Sequence, residues 1–211
     1  MIQTFYHIAA LGDWKKVLDE QLALTVSTGL AQNPIFTTFV GKAEDLDWAW
    51  RRSKERNVHL KVVQSDPNTA HFETFAMLAI ERWAKTAGDA CALYLHTKGV
   101  SAPGHNGKRR WRHLMQDELI RKWKEHIERM DEYDAIGVNW RGRPFPPHFC
   151  GNFWMARASY LRTLEDFKTY HNRNNLERTN CEFWIGTGKP EPKVLSLVHH
   201  DTDYCSPEYF G

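Results

Sequence analysis

The chain has 211 residues, 42% of them hydrophobic, and a formal net charge of +2 from 28 basic and 26 acidic side chains. That length suits one large domain or two small ones. The near balance of charge argues against a general nucleic-acid or membrane-surface binder, and no window approaches the roughly 18 apolar residues of a membrane span.

Residues 4–11 form the first predicted strand, after which Trp14, Val17, Leu18 and Leu22 share a helical face that Gly29 closes. Residues 36–40 and 58–63 read as the second and third strands. Between them, Asp45-Leu-Asp47 marks a polar helix start, where acids favour the amino terminus. Phe72, Phe75, Ala76, Ala79, Ile80 and Trp83 then follow the spacing of an amphipathic helix. Residues 92–95 are an apolar run without alternation that stops at His96-Thr97-Lys98 and turns at Gly99. Such a run reads as a strand buried on both faces, the mark of a parallel sheet.

A long charged helix is expected over 113–130, with Ile120, Trp123, Ile127 and Met130 inward. Residues 135–140 and 149–156 are further strands, the second running into a helix that carries Tyr160, Leu161, Leu164 and Phe167. Residues 194–198 are the last strand. This alternation predicts an α/β fold, a doubly wound, mostly parallel central sheet flanked by helices. One domain over 1–211 is expected, with further domains of the same polypeptide left open. The four cysteines (Cys91, Cys150, Cys181, Cys205) have no C-x-x-C pair and read as reduced packing residues. Nine Trp and eleven Phe exceed ordinary core needs, which leaves some for stacking on a sugar or a base. The amino-terminal run lacks the basic segment and long apolar core of a signal peptide.

A dinucleotide-binding fold should show G-x-G-x-x-G after its first strand, and here that turn is Ala9-Ala-Leu-Gly-Asp-Trp14. The G-x-x-x-x-G-K-[ST] string of a P-loop is also missing. The remaining common solution is a nucleotide-sugar transferase fold, in which a diphosphate sits beyond the middle of the sheet, neutralised by a metal or by basic side chains. Lys98 is then the phosphate-binding cation. His96 donates to a phosphate oxygen or ligates a metal, with a satisfied strand-end imidazole as the alternative. Thr97 joins the donor site or turns into the core.

The ordered set Tyr94-Leu-His-Thr-Lys98, Glu73 before it, Trp111-Arg112, Gly151-Asn-Phe-Trp-Met-Ala-Arg157 and Cys181-Glu-Phe-Trp-Ile-Gly186 resembles the rhamnan-synthesis family of bacterial glycosyltransferases. It is also similar to the N-terminal glycosyltransferase domain of a chlorella-virus protein. The resemblance spans essentially the whole chain. It implies a GT-A-like fold and transfer of a hexose or deoxyhexose from a UDP-type donor to a glycan or glycoprotein acceptor. The implied setting is the cytoplasm, the host's if the protein is virus-encoded.

On that footing Ala9 and Leu11 lie along the nucleobase. Asp66 contacts ribose or uracil, or merely closes an Asx turn before Pro67. Glu73 holds donor hydroxyls or is a surface acid. Glu182, beside Phe183-Trp184, is the catalytic carboxylate, with a helix-start acid as the alternative. Trp140, Arg141, Asn152 and Trp154 border the sugar or acceptor, and Lys108–Arg112 is a solvated helix start or a second approach to the diphosphate.

Where most GT-A enzymes hold a divalent cation with Asp-x-Asp, this chain has His96-Thr97-Lys98. Mn²⁺ or Mg²⁺ would therefore fall to His199, His200 and Asp201, whose alternative is a solvated C-terminal loop. Two rival functions are a catalytically silent binder of nucleotide sugar or carbohydrate, and a metal-dependent phosphoester hydrolase built on residues 199–203.

Overall fold

The structure is a computed structural model that describes residues 1–100, 106–175 and 177–199. Strands β1 (Ile2–Ala9), β2 (Ile35–Val40), β3 (Leu60–Asp66) and β4 (Cys91–His96) alternate with helices α1 (Trp14–Ser27), α2 (Ala43–Glu55) and α3 (Thr74–Ala84). The expected long helix begins earlier and is interrupted. Helix α4 (Asn106–Met115) runs through a π-helical stretch, Gln116–Arg121, into α5 (Trp123–Arg129). Then come β5 (Ala135–Gly137), a ribbon of β6 (Trp140–Arg141) and β7 (His148–Phe149), and β8 (Trp154–Arg157). Short helices α6 (Ala158–Leu161), α7 (Phe167–Arg173) and α8 (Asn180–Phe183) precede the last strand, β9 (Val194–Ser196).

The main sheet has the order β3-β2-β1-β4-β8-β5-β9. The pairs β3–β2, β2–β1, β1–β4 and β5–β9 are parallel, and β8 runs against both of its neighbours. This is the doubly wound, mostly parallel α/β sheet that the alternation predicts. All six residues of β4 are buried, as its unbroken apolar pattern requires. Leu93 and Leu95 enter one core with Tyr6, Ile8 and the inner face of α1, while Ala92 and Tyr94 enter a second with Phe5 and α3. Burying each such leucine is worth about 2 kcal/mol. Among the described residues no helix is long and apolar enough to cross a membrane.

One departure from the expected strands shapes the site. The stretch 149–156 is broken between β7 and β8, where Gly151 (φ 87°) and Asn152 (φ 58°) take left-handed backbone. Glycine and asparagine are the residues that tolerate this best. Because β8 is reversed, with Tyr94 opposite Trp154, its amino end arrives at the carboxyl end of β4. Residues 151–152 thereby meet the His96-Thr97-Lys98 turn.

Candidate active site

The turn after β4 is held mainly through its backbone. The His96 carbonyl accepts from Gln21 Nε2 (3.1 Å), and Gln21 Oε1 in turn accepts from the Tyr6 hydroxyl (2.6 Å). The Thr97 amide donates to the His7 carbonyl (3.1 Å), and its Oγ1 accepts from the Ala9 amide (2.9 Å). Arg112 Nη1 donates to the Lys98 carbonyl (3.1 Å). Thr97 therefore fastens the ends of β1 and β4 together. Among the described residues, no hydrogen bond or ion pair takes up the Lys98 ammonium.

His96 differs from an open phosphate ligand or metal ligand. Its Nδ1 lies 2.8 Å from Glu73 Oε1 and its Nε2 lies 3.0 Å from the Gly151 carbonyl. A carbonyl only accepts, so Nε2 carries a hydrogen, and the carboxylate takes the other. Both nitrogens are spent, which is the satisfied strand-end imidazole. Glu73 is likewise no surface acid, being 6% exposed. Burial alone would raise its pKa, but the charge and hydrogen bond of His96, with His7 and Lys98 behind them, hold it well below the carboxylate range. The amino end of α3, which Glu73 caps, favours the same charge.

Asn152 Nδ2 reaches Glu73 Oε2 and the Cys181 carbonyl, each at 3.3 Å. The indole N–H of Trp154 donates to Asn152 Oδ1 (2.9 Å) and so fixes which way the amide points. Trp154 is fully buried, so the expected sugar contact is corrected to a core residue that orients Asn152.

Gly151 sits at the junction. A Cβ there would stand 2.4 Å from Trp111 Nε1 and 2.7 Å from Met115 Sδ. Its amide donates to Glu182 Oε1, which places the half-buried carboxylate of Glu182 over the end of β8. Trp184, expected to surround that acid, is instead buried with its N–H on the Glu165 carbonyl (2.8 Å).

Two adjoining cavities lie here. A basin of about 250 Å³ is lined by Lys98, Lys108, Arg178, Glu73, Asn152 and Glu182, among others. A narrower slot of about 50 Å³ is lined by Ala9, Leu11, Phe72 and His7, with His96 and Thr97 behind. Glu73, Gly99 and Arg178 belong to both. The Arg178 guanidinium lies 5.3 Å over the Phe72 ring. The arrangement offers cations for an anionic ligand beside one carboxylate with an oxygen to spare.

Sequence reasoning missed Arg178, His7 and Phe72. Arg178 comes from a polar stretch with no periodicity, and its one signal is a place four residues before Glu182. Phe72 is read as the start of the amphipathic helix but holds φ 45°, ψ −131° just outside it. Other expected residues stand apart. Asp66 Oδ1 accepts from the Asn68 amide (2.7 Å), which is the Asx turn. Trp140 packs edge-on to Phe149 at 4.7 Å, and Arg141 pairs with His148; neither lines slot or basin.

For a divalent cation, the β4 turn supplies an ammonium and a fully engaged imidazole, a donor set that does not fit a metal. Among the described residues no group of three or more His, Cys, Asp or Glu is gathered for one. His199 is exposed, while His200 and Asp201 lie outside the described residues.

The chain belongs to the family described as "Domain of unknown function (DUF8361)", whose model matches residues 5–204. No curated protein matches. Among solved structures, 4-diphosphocytidyl-2C-methyl-D-erythritol synthase from Anaerococcus prevotii DSM 20548 is similar at 10% identity and a TM-score of 0.46. That alignment covers 98% of this chain and 94% of the other.

Proposed function

We propose that this member of the DUF8361 family is a glycosyltransferase that uses a nucleoside-diphosphate sugar, UDP-linked, and passes a hexose or deoxyhexose to a glycan or glycoprotein. The observation that carries this reading is the joining of Lys98, Lys108 and Arg178 with Glu182 in one basin at the carboxyl edge of the sheet. Ligands of open α/β sheets gather at that edge.

Transfer needs negative charge stabilised on a departing diphosphate and an acceptor hydroxyl held near the anomeric carbon. Lys98, a compact cation on a rigid turn, meets the diphosphate with Arg178 and Lys108 beside it. Glu182 keeps one oxygen on the Gly151 amide, and its second oxygen faces the acceptor, as base or as electrostatic support. Asn152, buried and spent on Glu73, the Cys181 carbonyl and the Trp154 indole, fixes the turn that carries this wall of the basin and is not itself assigned to the sugar.

The test is consumption of UDP-sugars and release of UDP, followed for wild type and Glu182→Gln with Mn²⁺, Mg²⁺ or a chelator. UDP release that Glu182→Gln abolishes, with UDP binding retained, supports the reading. Binding without turnover under every condition makes the chain a silent binder. Absence of both binding and turnover overturns it.

A further inference from the structure

We propose that the groove between α1 and α2 is a docking site for an acidic segment of a partner protein, separate from the basin and the slot. It has a volume of about 430 Å³ and is lined by Lys15, Lys16 and Asp19 of α1 and by Arg51, Arg52 and Glu55 of α2. None of these residues lines the basin or the slot. The two acids are already spent. Asp19 accepts from Arg52 Nε (2.6 Å) and from Arg56 Nε (2.7 Å) and Nη2 (2.6 Å), and Glu55 accepts from Arg52 Nη1 (2.7 Å). Lys16 and Arg51 are exposed, and among the described residues no carboxylate pairs with either. Lys15 stands 3.8 Å from Asp45 with half of its side chain exposed. The placement runs against local electrostatics. Helix α2 opens with Glu44 and Asp45, which suit the positive end of a helix, whereas α1 has no acid in its first turn and puts Lys15 and Lys16 there. Arg51 and Arg52 line the same groove, so like charges share it. The fold gains no ion pair from Lys16 or Arg51, and a local rule broken without such a gain marks a place for a ligand of opposite sign.

The walls decide which anion fits. Trp48 also lines the groove, but Lys15 Nζ lies 5.1 Å over its ring and Trp14 packs edge-on against it at 5.3 Å. The indole is therefore no platform for the stacking that a nucleobase or a sugar ring would use. Charge sign is mixed along the groove. Lys15 meets Asp45 near the start of α2, Asp19 meets Arg52 and Arg56 further along, and Glu55 ends the helix with 61% of its side chain exposed. A polyanion charged on every unit runs into Glu55. A peptide can set carboxylates on Lys15, Lys16 and Arg51 and turn an uncharged residue or a backbone amide toward Glu55. Arg51 spends its Nε on the Asp47 carbonyl of its own helix (3.4 Å), which leaves its two Nη groups for a carboxylate held by two hydrogen bonds.

Fluorescence anisotropy of a labelled peptide of alternating glutamate and glycine, titrated with the whole chain at low and high salt, tests this. Wild type should bind the peptide and lose affinity as salt rises, because the contacts are exposed ion pairs. Lys16→Ala combined with Arg51→Ala should weaken binding about tenfold, while Lys98→Ala, in the basin, should leave it unchanged. Both groove residues are exposed, so the double variant should keep the wild-type unfolding midpoint. Lys16→Gln alone, with a loss of about threefold, decides the matter if the double variant does not fold. Oligothymidylate and a sulfated glycan, run beside the peptide, should bind less tightly than it does. Absence of peptide binding, peptide binding that the groove variants leave unchanged, or tighter binding of either polyanion overturns the proposal. The transferase reading rests on the basin and stands or falls apart from these outcomes.

Discussion

Glu73 and Glu182 line the same basin, yet the chain surrounds them in opposite ways. Glu73 is buried at the head of α3, with one oxygen on His96 and the other on Asn152. Glu182 is half-buried on the short helix α8, and the one partner described for its carboxylate is the Gly151 amide. A carboxylate whose oxygens are both occupied by its own fold serves as a clamp, here tying α3, β4 and the amino end of β8 together. A carboxylate with an oxygen to spare is available to a ligand. The contrast makes Glu73 a structural acid and leaves Glu182 the one open to a ligand, whereas sequence alone offers Glu73 for donor hydroxyls or the surface and Glu182 for catalysis or a helix start.

The comparison breaks most readily at Glu73. Glu73→Ala strips the buried His96 imidazole and Asn152 amide of their carboxylate partner, and leaving buried polar groups unpaired costs about 1–3 kcal/mol each. Urea unfolding should show that loss, and a cost below about 1 kcal/mol would deny Glu73 its clamping role. Glu182→Ala should do the reverse. Its fold should stay within about 1 kcal/mol of wild type, while sugar transfer falls about 100-fold or more, the usual scale for a lost acid–base group. A stability loss comparable to that of Glu73→Ala would place both acids in the scaffold.

How much of this was legible beforehand depends on how local each signal is. The apolar run into His96-Thr97-Lys98 declares a doubly buried strand, and the structure has it, with two cavities at its carboxyl end. The reversal of β8 is not written in any periodicity, because alternation reports which face a residue takes and not which way its strand runs. The strand expected over 149–156 was therefore too long, and the Gly151–Asn152 turn that joins the two halves of the site went unseen. His96 looked available because its two partners, Glu73 and Gly151, are remote in sequence. Trp154 looked like a sugar platform because an aromatic beside an asparagine looks the same in a core as at a surface. His7 lies inside an apolar strand, and nothing in its neighbours marks one ring nitrogen as unpaired.

A pH series sharpens the comparison by separating His7 from the acid clamp. Burial lowers His7 from 6.5 to about 4, so the unfolded chain takes up a proton that the folded chain refuses. Its contribution is complete above pH 6.5 and declines as the pH falls, by about 1.4 kcal/mol per unit, until the folded state accepts the proton. Glu73 acts in the same sense but lower. Its carboxyl is held below the ordinary 4.5, so its contribution is present above that pH and is lost on further acidification. Between pH 6.5 and 5 wild type should thus lose about 2 kcal/mol through His7 alone, and His7→Gln should lose that much less. Parallel urea midpoints for the two proteins across this window would remove His7 from the list of buried neutral groups.

The smallest effect should separate the two roles within a single turn. Lys98 and Thr97 are adjacent, but the Thr97 hydroxyl accepts from the Ala9 amide and the Lys98 ammonium is committed to no protein partner among the described residues. Thr97→Val should cost about 1 kcal/mol of stability, the worth of the hydrogen bond, since it leaves a strand-end amide unpaired. Lys98→Ala should leave stability within about 0.5 kcal/mol and weaken UDP about tenfold at low salt, through loss of a charge-assisted contact. That deficit should shrink as salt rises, because a partly exposed cation acting on a phosphate is screened. Titration of UDP at two ionic strengths reads the effect directly. A salt-independent loss, or one matched by a fall in unfolding midpoint, would mean that Lys98 shapes the turn instead of meeting the ligand.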